Sequence, residues 1–337
     1  MDQPSGNKRK SQKRFARPAE RPGIRLSDDD YQILWYVYRH RLIESRVLYR
    51  LLSHRSEQVL SRRLKLLFRT GFLDRPLSQN AKSRLKPGTD PYVYALDREG
   101  ARALNHKFGG SLAEQGWKYK NAKLSVTSIE HHLETSRFVG GLAVSAQSQP
   151  GVRLLYADEL ISPEVMAKRP AGLSNTVRAD VRWFQPGRNV GTAPDAIVGI
   201  EVDGKKQILF VEIDRGTETI EPTERQLKSE RFWRDTSFLR KMLIYSAVFR
   251  TKAHQAQLGL PVFRVLTITT QPGRVRIMQN SFGRYLENGQ DRVTPGLFLF
   301  SDWTTLETAS DWLEVPYENA LGRPIRLLDR GQKPGGK

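Results

Sequence analysis

Apolar positions at helical spacing mark the first part of the chain. They predict three short helices within residues 26–76, and the third runs from near Ser56 to Gly71, where a glycine favours helix termination. A serine followed by three aspartates precedes the first helix and supplies both a cap and favourable charge at its start. Two further apolar runs predict short strands at residues 72–75 and 91–96.

The polar face of the predicted third helix is strongly basic, and so is the loop between the two strands. The candidate DNA-contacting residues are Arg55, Arg62, Arg63, Lys65 and Arg69 from the helix region, and Lys82, Arg84 and Lys86 from the loop. Three helices followed by two strands around a basic loop resemble a winged helix-turn-helix domain, whose third helix would enter the major groove. The same pattern also fits a domain that contacts proteins, or a basic face that is only solvated.

A β-hairpin with carboxylates at its open end is predicted in the second half of the chain. Asp203-Gly204 is a strong two-residue turn signal, because both central positions of such a turn need a positive φ. The register that follows places Asp195 directly opposite Glu212. Asp214 then lies on the same face as Glu212, two residues further along.

Like charges at facing strand positions are destabilising, so these carboxylates predict a nearby counter-charge. One solution is a hard divalent cation such as Mg²⁺, which prefers oxygen ligands. The other is a basic side chain, with Arg178 and Arg215 as candidates. The hairpin alone does not decide between them.

The remaining periodicities predict the organisation of the rest of the chain. The expected helices are 125–147, 222–250 and 272–286, and the expected strands are 152–156, 177–184, 262–269 and 297–300. The expected divisions are a disordered basic tail (1–25), a winged helix domain (26–105), a linker (106–124), a nuclease-like α/β domain (125–305) and a weakly structured C-terminal tail (306–337).

Composition narrows the class of protein. The net charge of +19 over 337 residues favours a polyanionic partner, most often nucleic acid. The absence of cysteine excludes disulfides, a thiolate nucleophile and cysteine-ligated zinc, and the six histidines form no HExxH pattern. No apolar stretch is long enough to cross a membrane, and the basic N-terminus is not followed by the apolar core of a secretory signal. We therefore expect a cytoplasmic protein that does not bind membranes.

From residue 125 onward, the order of helix, strands, acidic hairpin, helix, strand and helix resembles the PD-(D/E)xK nuclease-like fold. The resemblance implies that Asp195 and Glu212 hold Mg²⁺ and that Glu134 or Glu130 of the leading helix completes the site. The chain departs from the family pattern at one position, since Asp214 stands where the lysine is expected.

Some branches of that fold move the lysine to the following helix, and Lys241 is the first candidate here, with Lys228 second. The candidate catalytic residues are therefore Asp195, Glu212, Asp214, Lys241 and Glu134. The fold class expected overall is α+β or α/β, with an N-terminal winged helix-turn-helix domain and a restriction-endonuclease-like (PD-(D/E)xK-type) core.

A narrower resemblance covers about residues 26–300. The segments Glu130-His131-His132-Leu133, Pro194-Asp195-Ala196, Phe210 to Thr217 and Lys241 to Tyr245 look like the replication-relaxation family. That family is associated with plasmids and other mobile elements, and the resemblance implies a role in replication, DNA relaxation or mobilisation.

Three functional hypotheses follow. The first is a protein that binds double-stranded DNA through a winged helix. The second is a Mg²⁺-dependent DNA endonuclease. The third is a non-catalytic scaffold that forms a homodimer or docks replication or mobilisation proteins, with its carboxylates neutralised by arginines.

Overall fold

The computed structural model describes residues 15–19, 23–79, 91–109, 112, 116–168, 175–181, 189–287 and 295–328. The chain divides into two compact units, Met1–Leu133 and Glu134–Lys337. The predicted loop contacts of Lys82, Arg84 and Lys86 lie outside the described residues, as does most of the predicted basic tail.

The first unit combines short helices with a small antiparallel sheet. Its strands follow the order β1-β3-β2, so the last strand pairs with both of the others. The elements are α1 (Asp28–His40), β1 (Leu42–Glu44), α2 (Ser45–Leu51), α3 (Glu57–Thr70), β2 (Leu73–Asp74), β3 (Val93–Leu96), α4 (Arg98–Phe108), α5 (Trp117–Ala122) and the start of α6 (Val126–Gln147).

Local signals explain where the predicted helices begin and end. Ser27 caps α1 in a capping box, because its side chain accepts from the Asp30 amide while the Asp30 carboxylate accepts from the Ser27 amide. Ser56 caps α3, and Gly71 ends it at φ 88°, a left-handed conformation that glycine adopts without strain. Val59, which the periodicity places in the core, is instead 51% exposed.

The second unit is built on a mixed sheet that contains seven strands among the described residues. In chain order its elements, after the end of α6, are β4 (Val152–Tyr156), α7 (Ala157–Leu160), α8 (Pro163–Ala167), β5 (Val177–Asp180), β6 (Asn189–Thr192), β7 (Ala196–Val202), β8 (Lys205–Asp214), α9 (Glu224–Leu227), α10 (Glu230–Arg234), α11 (Phe238–Arg250), α12 (Ala253–Leu258), β9 (Arg264–Thr269), α13 (Arg274–Phe282), β10 (Phe298–Asp302), α14 (Trp303–Thr308), β11 (Tyr317–Asn319) and β12 (Pro324–Ile325).

The strand order in this sheet is β12-β11-β10-β9-β8-β7-β4. Strands β8, β9 and β10 run parallel, and the other neighbouring pairs are antiparallel. Strands β5 and β6 form a separate two-stranded sheet. The main core contains Phe210 of β8, Val265 of β9 and the buried face of α11, so the central strands and α11 are held in fixed contact.

The predicted hairpin register is confirmed. Val202 pairs with Lys205 and Ala196 pairs with Val211, as the turn signal requires. Asp203 and Gly204 both have positive φ, at 50° and 76°. The predicted long helix over 222–250 is instead three helices, α9, α10 and α11, and the Ser237 side chain caps the last of them by accepting from the Arg240 amide.

Two expected boundaries differ from the structure. The sequence predicts a weakly structured tail over 306–337, but in its described part β11 and β12 extend the main sheet, with buried anchors such as Tyr317. The expected linker over 106–124 contains the end of α4 and all of α5. Both segments are too short for periodicity to identify as regular structure.

The fold class is mixed α+β. Among the described residues, none of the helices combines the length and the apolar composition that crossing a bilayer requires.

Candidate functional site

The open end of the β7–β8 hairpin brings Asp195 to Glu212. The Asp195 amide donates to the carbonyl of Val211 at 2.9 Å, which continues the strand register by one residue. The Asp195 Oδ2 atom accepts from the amide of Ile213 at 2.8 Å. The turn sequence therefore fixes the position of an acidic pair that lies almost a whole strand away.

Helix α11 supplies the counter-charge to Glu212. Lys241 donates from Nζ to Glu212 Oε2 at 3.0 Å, and the Tyr245 hydroxyl donates to Oε1 of the same carboxylate. Lys241 and Tyr245 are four residues apart, so they project from the same face of α11. Glu212 is only 3% exposed, and each of its two carboxylate oxygens accepts a hydrogen bond from a side chain of α11.

A third carboxylate, which sequence reasoning missed, completes this arrangement. Glu218 Oε1 lies 3.0 Å from Lys241 Nζ, so one ammonium group bridges two carboxylates. Glu218 follows β8 in a loop without periodicity, and Arg274 fixes that loop by donating to the Glu218 carbonyl at 2.8 Å. We name Asp195, Glu212, Glu218, Lys241 and Tyr245 the Lys241 cluster.

The pKa values of Glu212, Lys241 and Tyr245 are all raised, chiefly by burial for Glu212 and Tyr245 and by the neighbouring carboxylates for Lys241. Burial raises the pKa of Glu212 to about 7, against the opposing effect of Lys241. Burial alone would lower the pKa of Lys241, but Glu212, Glu218 and Asp195 outweigh it and raise the pKa above its usual value. Burial also raises the pKa of Tyr245, whose hydroxyl therefore remains a proton donor. Lys241 is accordingly the permanent positive charge of the cluster.

Asp214, predicted as a catalytic residue, is neutralised by a different partner. Arg274 donates from Nε and Nη2 to the two Asp214 oxygens at 2.7 and 2.9 Å, a bidentate pair. Thr269 Oγ1, on the neighbouring strand β9, donates to Asp214 Oδ2 at 2.7 Å. Asp214 therefore has Arg274 as its counter-charge, whereas Glu212 has Lys241.

Glu134 of the leading helix also has a basic partner. Its Oε2 atom lies 3.1 Å from Nε of Arg215, and both side chains are mostly buried. The sequence makes Arg215 a candidate counter-charge for the hairpin carboxylates, whereas the ion pair seen in the structure joins it to Glu134. Arg178, the other candidate, is exposed on β5 and donates to the carbonyl of Asn189.

The carboxylates of the Lys241 cluster are arranged around the Lys241 ammonium group rather than around a site for Mg²⁺. Lys241 and Tyr245 already occupy the two oxygens of Glu212, and Lys241 also holds Glu218. Across the part of the chain that the structure describes, no group of three or more histidine, aspartate or glutamate side chains is arranged to hold a metal. A divalent cation at Glu212 would have to share this carboxylate with the Lys241 ammonium and the Tyr245 hydroxyl.

The shifted pKa of Glu212 predicts a pH-dependent contribution to stability. Because the folded-state value, about 7, lies above the ordinary value of 4.5, the contribution is fully present below pH 4.5 and is lost as the pH rises through 7. We expect the free energy of unfolding, measured by urea titration, to fall by up to ~3 kcal/mol across this interval from this group. The Glu212→Gln variant should lack that component, and an identical pH profile for both proteins would contradict the expectation.

A second candidate site is the outer face of α3. Leu64, Leu67 and Phe68 are buried against the rest of the unit, whereas Arg62 and Lys65 are exposed and Arg69 is partly exposed. These three cations follow one another at spacings of three and four residues, so they line one helical face. The face could hold a phosphate backbone because its charges are presented to solvent.

The other two predicted cations near α3 are engaged in ion pairs. Arg63 donates from Nε and Nη2 to the two oxygens of Asp30 at 2.5 Å each, and Asp30 is fully buried. Arg55 donates from Nε to Asp29 Oδ2 at 2.7 Å. Arg63 therefore fastens α3 to the start of α1, a role that the charge pattern alone could not separate from DNA contact.

Comparison with known proteins places the chain in a family. No curated protein matches it, and no solved structure matches it. The sequence model of one family, described as replication-relaxation, matches residues 34–260, which is more than half of the chain. The match includes α3, the β7–β8 hairpin and the residues of the Lys241 cluster. The chain therefore belongs to the replication-relaxation family.

Proposed function

We propose that the first unit is a winged helix that binds double-stranded DNA through α3. The observation that carries this proposal is the row of Arg62, Lys65 and Arg69 on the solvent side of a helix whose other side is buried. Strands β2 and β3 follow the three short helices and form an antiparallel sheet with β1, in the order β1-β3-β2, and this arrangement agrees with a winged helix. The net charge of +19 supports a polyanionic partner.

Membership of the replication-relaxation family points to a role in the replication or relaxation of mobile elements. Within that role, DNA binding by the first unit would bring the second unit to its place of action. We infer that the second unit is related to the PD-(D/E)xK nuclease-like fold, because α6 precedes an antiparallel β4–β7–β8 meander and α11 leads into the parallel strand β9. A nuclease-like fold would not by itself mean that the second unit cleaves DNA.

Removing two charges from α3 should weaken duplex binding. We expect the Arg62→Ala/Lys65→Ala protein to bind a fluorescent duplex less tightly at every sequence tested, since phosphate contacts carry little sequence information. In anisotropy titrations at several salt concentrations, the slope of log K against log salt should become less steep by about 2, near 0.9 per lost phosphate contact.

The matched control removes the same charge from exposed positions of the second unit, Lys205 and Arg276. The Lys205→Ala/Arg276→Ala protein should keep the wild-type salt slope. Equal losses in the two double variants would show that binding follows net charge alone and would contradict the assignment to α3.

Metal-dependent endonuclease activity is the second candidate function. One observation favours it: Asp195 and Glu212 converge with Lys241, the lysine expected from the helix that follows the hairpin. Both Glu212 oxygens already accept hydrogen bonds, from Lys241 and Tyr245, and this argues against a preformed Mg²⁺ site. A direct cleavage assay shows whether the protein has this activity.

If the second candidate is correct, supercoiled plasmid incubated with wild-type protein and Mg²⁺ or Mn²⁺ should be nicked or linearised. The Asp195→Ala protein should then lose at least 100-fold in rate, as expected when a group that positions the reacting centre is removed. Equal nicking by both proteins would assign the activity to a contaminant and would remove this candidate.

A further inference from the structure

A cavity of about 520 Å³ opens between the start of α1 and the first turns of α3 in the first unit. Its apolar lining consists of Ile33 from α1 and of Val59, Leu60 and Leu66 from α3. Ile33 and Leu60 are buried and Leu66 is partly exposed, whereas Val59 is 51% exposed. The cavity therefore presents an apolar residue to solvent on the otherwise polar side of α3.

Four arginines and one aspartate also line this cavity, so its lining carries an excess of positive charge. Two of the arginines, Arg55 and Arg63, are held by aspartates of α1. The other two, Arg25 and Arg62, are exposed, and their side chains have no ion pair or hydrogen bond to any residue that the structure describes. Arg25 and Arg62 are therefore the guanidinium groups available to an anionic ligand.

The backbone at Arg25 is fixed to the cavity wall. Its carbonyl accepts from Arg63 Nη2 at 3.0 Å, and the same guanidinium is paired with the buried carboxylate of Asp30. Ser27, two residues further on, caps α1. These contacts use the Arg25 backbone and not its side chain, so replacing the side chain leaves the wall intact.

The chemistry of the cavity fits the backbone of nucleic acid better than an isolated anion. Arg62 belongs both to the cavity and to the exposed row of cations on α3, so the cavity extends that cationic surface to the start of α1. A sugar–phosphate backbone alternates an anionic phosphate, which arginine binds in a bidentate manner, with a deoxyribose whose carbon atoms can pack on an apolar side chain. An isolated inorganic anion would leave Val59 and Leu66 without a role.

We propose that this cavity binds the sugar–phosphate backbone of a DNA duplex, with Arg25 and Arg62 on phosphates and Val59 against a deoxyribose. The inference rests on the proposed DNA binding by α3, and it adds the start of α1 to the DNA interface. Contacts of this kind provide affinity and fix the position of the helix on the duplex, but they do not read the base sequence.

Removing the Arg25 side chain tests the phosphate contact. In anisotropy titrations of the full chain, we expect Arg25→Ala to bind a fluorescent duplex about three- to tenfold less tightly at low salt, and the slope of log K against log salt to become less steep by about 0.9. Arg25→Lys keeps the charge but not the bidentate geometry, so it should keep the salt slope and lose part of the affinity. The control Lys205→Ala removes the same charge from an exposed position of the second unit and should change neither value.

A carboxylate at Val59 tests the apolar part of the cavity. We expect Val59→Asp to weaken duplex binding by at least about tenfold, because it would place a negative charge against the DNA backbone. The matched control is Ile277→Asp in the second unit, where the replaced residue is also apolar and is 50% exposed. This control adds the same charge to the protein and should weaken binding much less.

The inference and the proposed function fail in different ways. If Arg25→Ala and Val59→Asp bind DNA as their controls do while Arg62→Ala/Lys65→Ala is weakened, the cavity lies outside the DNA interface and the inference is overturned. Unchanged binding by Arg62→Ala/Lys65→Ala would instead overturn the proposed function. Circular dichroism and thermal unfolding show whether each variant remains folded, and if Val59→Asp unfolds, the salt slope of Arg25→Ala decides the question alone.

Discussion

Replacing Lys241 by methionine is expected to lower the free energy of unfolding by about 3–5 kcal/mol at pH 8, the usual cost of removing one partner of a buried ion pair. Lys241 is the shared partner of Glu212 and Glu218, and Glu212 is 3% exposed. The variant therefore leaves a buried carboxylate whose remaining side-chain donor, among the residues that the structure describes, is the Tyr245 hydroxyl. Urea titration of both proteins measures the difference.

Two controls show whether the loss comes from the uncompensated charge. The Lys241→Met/Glu212→Gln protein should recover much of the stability, since the buried charge is then removed together with its partner. The single variant should also be less destabilised at pH 5 than at pH 8, because Glu212 is then protonated. A decrease of less than ~1 kcal/mol in the free energy of unfolding at both pH values would show that Lys241 does not stabilise the cluster.

The same variant distinguishes an ammonium site from a metal site. With Lys241 removed, Mg²⁺ at millimolar concentration should raise the melting temperature of the variant, because a divalent cation can replace the lost charge at carboxylate oxygens. The wild-type protein should show little change, since Lys241 already occupies Glu212 and Glu218. Equal stabilisation of both proteins by Mg²⁺ would mean that the metal binds independently of Lys241.

Replacing Arg63 by methionine is expected to have a comparable effect in the first unit, again about 3–5 kcal/mol. Asp30 has no exposed surface, and both of its oxygens accept from Arg63. Removing the guanidinium leaves the Asp30 carboxylate with the Ser27 donors at the start of α1. Denaturant unfolding followed by circular dichroism measures the loss.

Arg62, its neighbour on α3, is the matched control for Arg63. It is exposed, so Arg62→Met should change stability by no more than about 0.5 kcal/mol while weakening DNA binding. Arg63→Met/Asp30→Asn should regain stability relative to the single variant. If Arg63→Met were as stable as Arg62→Met, the Asp30 pair would not be the fastening that the geometry indicates.

The features that could be predicted are those determined by residues close together in the sequence. A two-residue turn at Asp203-Gly204 fixes the register of its whole hairpin, so the positions of Asp195 and Glu212 follow from two adjacent residues. The helix over 125–147 also follows from periodicity and agrees closely with α6, Val126–Gln147. In both cases the determining information lies within one element.

The partners of the charged residues could not be predicted in the same way. Asp214 and Arg274 are 60 residues apart, and only the packing of α13 after β9 brings them together. Glu218 lies in a loop that carries no periodic signal, yet it shares Lys241 with Glu212. Whether an arginine on α3 reads DNA or fastens a helix depends on a buried aspartate 33 residues earlier, as Arg63 shows.

The remaining differences between the predicted and the observed secondary structure involve short elements. Strands β11 and β12 have three and two residues, too few for an alternating pattern to stand out from a loop. The break between α10 and α11 coincides with the Ser237 cap, inside a stretch whose apolar positions suggest one continuous helix. Capping thus overrides periodicity where the two signals compete.

The two edges of the main sheet are shaped in a way that discourages strand addition by another molecule. At one edge, β12 is only two residues long and begins with Pro324, which has no amide hydrogen to donate. At the other edge, β4 carries the exposed cation Arg153. Unpaired strands with such features resist edge-to-edge association and the aggregation that follows from it. Self-association at the main sheet would therefore use side-chain surfaces rather than a continuous intermolecular sheet.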